Sequence, residues 1–470
     1  ITVGATTRQA QYVSGSGMSA LLFRYTVQAG DNDTDGIAIG SLSANGGTLR
    51  DAASNNATLT LNSIGSTVGV LIDAVAPTVA EITAVTTPGN DSTPNVTIST
   101  TEAGTLSVGG SCGSADEGAI SSGNTSITLT QTDNSTVLSD GTYSDCTITV
   151  TDAASNSSTP ITLTTFVLDA TAPATTALTL PASATYTAGQ NLDFTVNFDE
   201  NVSVDTAGGT PQLGIIIGST TRQATYQSGS GTTALLFRYV IQSDENDGDG
   251  IDIGSLTANG GTIKDAAANN AGLALSSTGS TTGVLVDALA PLTTSVNVPA
   301  SATYIAGQNL DFTVNFNEGV IVNTVGGTPQ LTLTIGSTSR QATYLSGSGS
   351  SALLFRYTVQ AGENDSDGIA IGNLSTNGGT IKDAAANNAS LTLNSVAATT
   401  GVLVDSVVPM VAEVTAVLTP NIDTTPDVTI STTKAGTLSV GGSCGSTDEG
   451  SISSGSTTIT LTQTDNLTAL

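Results

Sequence analysis

The chain has 470 residues, with 39 Asp and Glu against 10 Lys and Arg, no His, and a formal net charge of −29 at pH 7. With no basic stripe to displace the counterions of a phosphate backbone or to settle on anionic lipid, nucleic acid and acidic membrane surfaces are excluded as partners. Without His no Ser/His/Asp or Cys/His arrangement can form, whereas a hydrophobic content of 38% argues for buried cores despite 52 Gly, no Trp and only 4% aromatic residues.

The first predicted element is residues 20–27, ALLFRYTV, where Leu21, Phe23, Tyr25 and Val27 share one face of a strand and Leu22, Arg24 and Thr26 the other. The string around it, SGSGMSALLFRYTVQAGDNDTDGIAIG, returns with small edits near Asp247 and Asp365. A unit repeated this closely must fold locally and meet only its neighbours, so the chain is an array. Further along, TAVTTPGNDSTPNVTISTTEAGTLSVGGSCGS near Cys112 reappears near Cys444. In LDFTVNF, Leu192, Phe194, Val196 and Phe198 alternate with polar residues, as do Leu310 to Phe316, and GVLVD with Val402 and Val404 closes a unit. Helical periodicity is absent.

An Asp followed four residues later by Pro marks the unit ends at Asp73, Asp169, Asp287 and Asp405, spaced by 96, 118 and 118 residues. The expected modules are 1–73 (partial long), 74–169 (short), 170–287 and 288–405 (long) and 406–470 (partial short). Ile1 aligns with Ile215 and Leu333, and Leu470 with Leu138, so a window on a longer polypeptide is expected. Short β-branched runs separated by SGSG, ANGG and NDSDG turns predict an all-β, linear array of immunoglobulin-like β-sandwich modules with about seven strands each.

The pieces SATYTAGQNLDFTVNFDENVSVD, GGTPQLGIIIGSTTRQATY, ALLFRYVIQ, GGTIKDAAANN and GVLVDALAP resemble the bacterial Ig-like repeats of giant surface adhesins and biofilm-associated proteins, over essentially the whole chain. The resemblance implies extracellular, calcium-rigidified stalks.

Cys112 and Cys146 lie in one short module and are expected to form a disulfide in an oxidising compartment, the alternative being three reduced, buried cysteines. Cys444 is the copy of Cys112 and its partner would fall beyond residue 470.

The acids concentrate in loops. DNDTDGI (Asp31, Asp33, Asp35), ENDGDGI (Glu245, Asp247, Asp249) and ENDSDGI (Glu363, Asp365, Asp367) place carboxylates at alternate positions before a Gly, like the first half of an EF-hand loop, and calcium is expected there. The twelfth position is Leu42, Leu256 or Leu374 instead of Glu, so further oxygens must come from elsewhere. Two sets are candidates: the junction residues Asp73, Asp169, Asp287 and Asp405, and the DAA-x-N turns at Asp51, Asp152, Asp265 and Asp383. The competing reading is that Asp, Asn and Gly simply form turns through their own backbone. Ion binding at junctions would relieve repulsion between carboxylates and stiffen the joint, helped by the fixed φ of the following Pro. Strands of about ten residues give each module a span of roughly 35 Å.

Catalysis is not expected. Asp199 and Glu200 could pair as glycosidase acids, but the next module has Asn317 and Glu318, which leaves Glu200 and Glu318 to cap a turn or join a calcium site. The glycine strings precede no helix that could receive a phosphate and read as hairpin turns. Three functions follow: a stalk of a secreted adhesin or biofilm-matrix protein, a self-assembling fibre, sheath or surface layer, or carbohydrate-binding modules, the last without the exposed aromatics that stack on sugars. Expected partners are neighbouring modules or copies, and a host or matrix surface met by a tip outside this stretch.

Overall fold

The computed structural model describes residues 1–470 and contains strands but no helix, so no helix is long and apolar enough to cross a membrane. The chain is an all-β array of immunoglobulin-like sandwich modules.

In the long module 170–287 the organising element is a fifteen-residue strand, Asn191–Asp205. Its first half pairs antiparallel with Thr232–Val240, from Asn191↔Val240 to Asn197↔Ala234. After a bulge between Asn197 and Val202, its second half pairs with Thr262–Lys264. The remainder of that sheet runs through Thr220–Ser228 and Gln212–Ile217 to Asp252–Thr257, with Thr175–Thr179 on the other side of the long strand. A second, small sheet joins Ala184–Tyr186 in parallel to Val284–Val286 and adds Asn246–Asp247. Ten strand segments result where the turn pattern predicts about seven, because the bulge and short loop-borne pairings divide the ladder more finely than hydrophobic alternation reveals.

The alternation itself is followed closely. Leu192, Phe194, Val196 and Phe198 turn inward and meet Leu213, Ile215, Leu235, Phe237, Val284 and Val286 in one core cluster. Full burial of each such side chain contributes about 1.5–3 kcal/mol, the main stabilising term available to a module this poor in aromatics. The module 288–405 repeats the register 118 positions later, with Leu310, Phe312, Val314 and Phe316 facing Leu353 and Phe355. The short module has its own cluster, between Val85 and Leu168. The three clusters share no residue, and only Ala288, directly after the boundary Asp287, is counted with the core of the module before it.

The short module packs the sheet Val79–Thr83, Asn95–Thr100, Gly123–Thr128 against Gly118–Ile120, Gly104–Gly109, Thr147–Thr151, Ile161–Thr162. Cys112 and Cys146 are buried in its core and form a disulfide with a Cα–Cα distance of 5.2 Å, while Cys444 is free. Where the long modules have a three-residue parallel ladder, the short one has a single parallel bridge, Gly89↔Leu168. In residues 1–73 the hairpin Gln11–Ser14 and Leu22–Arg24 keeps the bulged register of its long copies, but Phe23 is 37% exposed where Phe237 and Phe355 are wholly buried under the long strand.

Candidate cation sites at the module joints

Each module ends on a strand that carries the chain to its landmark Asp. Asp169 follows Phe166–Leu168, and the next module presents two further acids to it: Glu200, within the bulge of the long strand, and Asp265, directly after Thr262–Lys264. One carboxylate oxygen from each of the three lies within 4.8 Å of the others. Asp73, Glu102 and Asp152 form the same group one joint earlier. At the third joint Asp287, Glu318 and Asp383 hold the corresponding positions, and burial, Asp383 and Asp287 raise the Glu318 carboxyl, but the three stand further apart than the acids of the first two groups.

The DAA-x-N turn builds the buried corner of each site. Asp265 Oδ1 accepts from the Asn269 backbone N–H at 2.8 Å and Oδ2 from its side-chain amide at 2.7 Å, and that same amide donates across the joint to the Asp169 carbonyl at 2.8 Å. Asn156 and Asn387 repeat the arrangement with the carbonyls of Asp73 and Asp287, at 3.1 and 2.8 Å. The turn holds Ser155, Ala268 and Ala386 at φ of 73°, 73° and 76°, a left-handed conformation that costs a residue with a Cβ about 1–2 kcal/mol. The turn reading is realised, and the same geometry brings the turn Asp to the joint. The Asp makes its own turn, and in doing so sits buried beside the joint at 8%, 5% and 3% exposure for Asp152, Asp265 and Asp383.

Electrostatically the joints are under-neutralised. None of the six ion pairs in the chain involves Asp73, Asp152, Asp169, Asp265, Asp287 or Asp383. Burial first, and then the charges of Asp73 and Asp152, push the Glu102 carboxyl above its ordinary range. Glu200 is raised by burial and by Asp169, Asp265 and Asp199, and Glu318 by burial, Asp383 and Asp287. Three convergent carboxylates with only oxygen donors, and a main-chain carbonyl beside them, are a hard donor set with excess negative charge, which suits a hard divalent cation better than zinc or copper.

The D/E-N-D-x-D-G loops are organised differently. Glu245 is buried, and its Oε1 accepts from Arg222 Nε at 2.5 Å and the Tyr239 hydroxyl at 2.6 Å, while Oε2 accepts from the Gln242 N–H at 2.8 Å. Asp247 accepts from the N–H groups of Gly250 and Gly218 at 2.9 and 2.6 Å, and Asp249 is exposed. Glu363 meets Arg340, Tyr357 and Gln360, and Asp365 meets Gly368 and Gly336, with Asp367 exposed. Asp31 pairs with Arg8, Tyr25 and Gln28, and Asp33 with Gly36 and Gly4, with Asp35 exposed. The three acids of each loop therefore do not converge into a group of the kind found at the joints. The loop Gly serves packing: at Gly250, φ is +105° and a Cβ would stand 2.5 Å from the Thr281 carbonyl oxygen. Burial, followed by the bond to its Glu, drives the Tyr239 and Tyr357 hydroxyls up to about 12.

Asp51 keeps the turn with Asn55, but Arg50 and Asn56 are its exposed neighbours and it joins no acidic group. Asp405 is met by Lys434. Sequence reasoning singled out the junction and turn Asp residues separately and did not join them. It passed over Glu102, although Glu102 and Lys434 differ within otherwise matching strings.

Comparisons with family models and with curated proteins return no match. Among solved structures, a marsupial T cell receptor is similar over 65% of this chain and 98% of its own, at 12% identity and a TM-score of 0.24. The plexin A4 extracellular region is similar over 83% of this chain and 29% of its own (13%, TM-score 0.15), and the Escherichia coli alpha-2-macroglobulin over 82% and 41% (9%, TM-score 0.14).

Proposed function

We propose that this chain is a non-catalytic stalk segment of a large extracellular bacterial surface adhesin or biofilm-matrix protein, made of autonomous sandwiches whose joints are braced by calcium. The observation that carries the reading is the joint itself: the last carboxylate of one module stands against two acids of the next at two successive joints, and the third joint has the same residue types at the matching positions. A cation held there would touch both modules at once and fix the angle between them, whereas without one the carboxylates repel. The Cys112–Cys146 disulfide is consistent with an oxidising, extracellular setting. The acids that converge do so between modules.

Small-angle X-ray scattering of the whole chain in calcium chloride and in EDTA tests this reading. The stalk reading expects a larger radius of gyration with calcium and a monomer in both conditions. Equal scattering profiles would end the calcium part. Regular lateral filaments would favour instead a self-assembling extracellular fibre, and retention on immobilised glycans would favour carbohydrate binding.

A further inference from the structure

One joint departs from the others. TTEAGTLSVGGSCGS around Glu102 returns as TTKAGTLSVGGSCGS, which puts Lys434 where Glu102 stands in the first short module. The Lys434 ammonium forms an ion pair with Asp405 Oδ1, and of the six ion pairs in the chain it is the only one that crosses from one module to the next. The same kind of boundary, long module to short, thus occurs twice: with Glu102 against Asp73, and with Lys434 against Asp405. At the matching position Asp73 meets the Glu102 carboxylate, whereas Asp405 meets an ammonium with three donors on a flexible stem, a compact point charge that can follow the carboxylate.

We propose that Lys434 is a tethered substitute for the joint cation, so that the joint at Asp405 closes without a divalent ion while those at Asp73, Asp169 and Asp287 require one. The inference rests on the calcium reading of those three joints. An ammonium beside Asp405 neutralises the carboxylate and repels a second cation from the same place, so calcium gains little there. The array then contains joints whose stiffness follows the ion concentration and one whose stiffness does not.

Hydrogen–deuterium exchange of the full chain, in calcium chloride and in EDTA, decides the point. The reporters are peptides containing Val75, Thr171, Leu289 and Val407, whose N–H groups each donate to the junction Asp two residues before, at 3.2, 3.2, 3.3 and 3.3 Å. EDTA is expected to speed exchange about tenfold at the first three and to leave Val407 unchanged. Lys434→Met should speed Val407 in both buffers, and Glu102→Lys should make Val75 indifferent to EDTA. The proposal is overturned if Val407 responds to EDTA as the others do, or if Lys434→Met leaves it slow. If EDTA alters none of the four, the calcium reading itself fails and takes the idea of a substitute cation with it, and Lys434→Met then reports only whether the ion pair closes its joint.

Discussion

The side-chain amide of Asn269 holds Asp265 of its own module and the backbone carbonyl of Asp169, the last residue of the module before it, in one pair of hydrogen bonds of 2.7 and 2.8 Å. This single group couples the fold of a turn to the orientation of a neighbour. Asn269→Ala removes both bonds and leaves a buried carboxylate short of a donor, a loss of about 1–3 kcal/mol. Differential scanning calorimetry should show the transition of module 170–287 lowered while that of 288–405 stays in place.

The glutamates of the joints set a pH dependence with a defined sign. Because the folded-state carboxyl of Glu200 is raised, the native state binds its proton more tightly than the unfolded chain does, so stability falls as pH rises from the ordinary Glu range through the raised value. In EDTA, Glu200→Gln is therefore expected to melt higher than the parent at pH 7, with the difference closing toward pH 4. In calcium the order should reverse, since the variant loses a ligand. Thermal melts across that pH range in both buffers read this directly, and a variant that melts lower than the parent in EDTA at pH 7 contradicts it.

Glu245 tests the opposite kind of acid. It is buried, with the part-exposed Arg222 and Tyr239 as partners, so Glu245→Ala returns the guanidinium to water but strands the Tyr239 hydroxyl and the Gln242 N–H, a loss of about 1–3 kcal/mol. The shift in melting temperature should be the same with and without calcium. A loss that appears only in calcium would show that the loop binds the ion after all.

Closing the 34-residue loop between Cys112 and Cys146 stabilises the short module by about 3–4 kcal/mol in the chain-entropy model. Reduction should lower one calorimetric transition and leave the long modules untouched. Phe237→Ala should do the converse, at about 3–5 kcal/mol, because Phe237 belongs to a core that shares no residue with the short module. If either change moves every transition together, the modules are not autonomous.

What could be read from the chain beforehand follows from the range of the interactions. Leu192, Phe194, Val196 and Phe198 were legible because a period of two is a local property of a strand. The junction Asp residues stood out because the repeat puts them on a ruler. The ENDGDG loops were not. Their meaning depends on Arg222 and on the Gly218 N–H, which reach the acids from a neighbouring hairpin 23 and 29 residues away, and no spacing within the loop announces a guanidinium. Asp169 and Asp265 were likewise noted as separate sets because the contact that unites them spans two modules, and Glu102 sits in a string that otherwise reads as an ordinary turn. The bulge at residues 197–202, which turns Glu200 toward the joint, has no period and so left no pattern to find.

In each long module the second strand and the last run side by side in the same direction, Ala184–Tyr186 with Val284–Val286 and Ala302–Tyr304 with Val402–Val404. Tension along the polypeptide therefore drags these neighbours past each other, and their backbone bonds must rupture together instead of peeling one by one. The short module, with its lone parallel bridge, should give way sooner, and its disulfide then caps how much slack it can release. Single-molecule pulling should accordingly record weaker, shorter steps from residues 74–169 and stronger, longer ones from the two long units, a graded shock absorber written into strand direction alone.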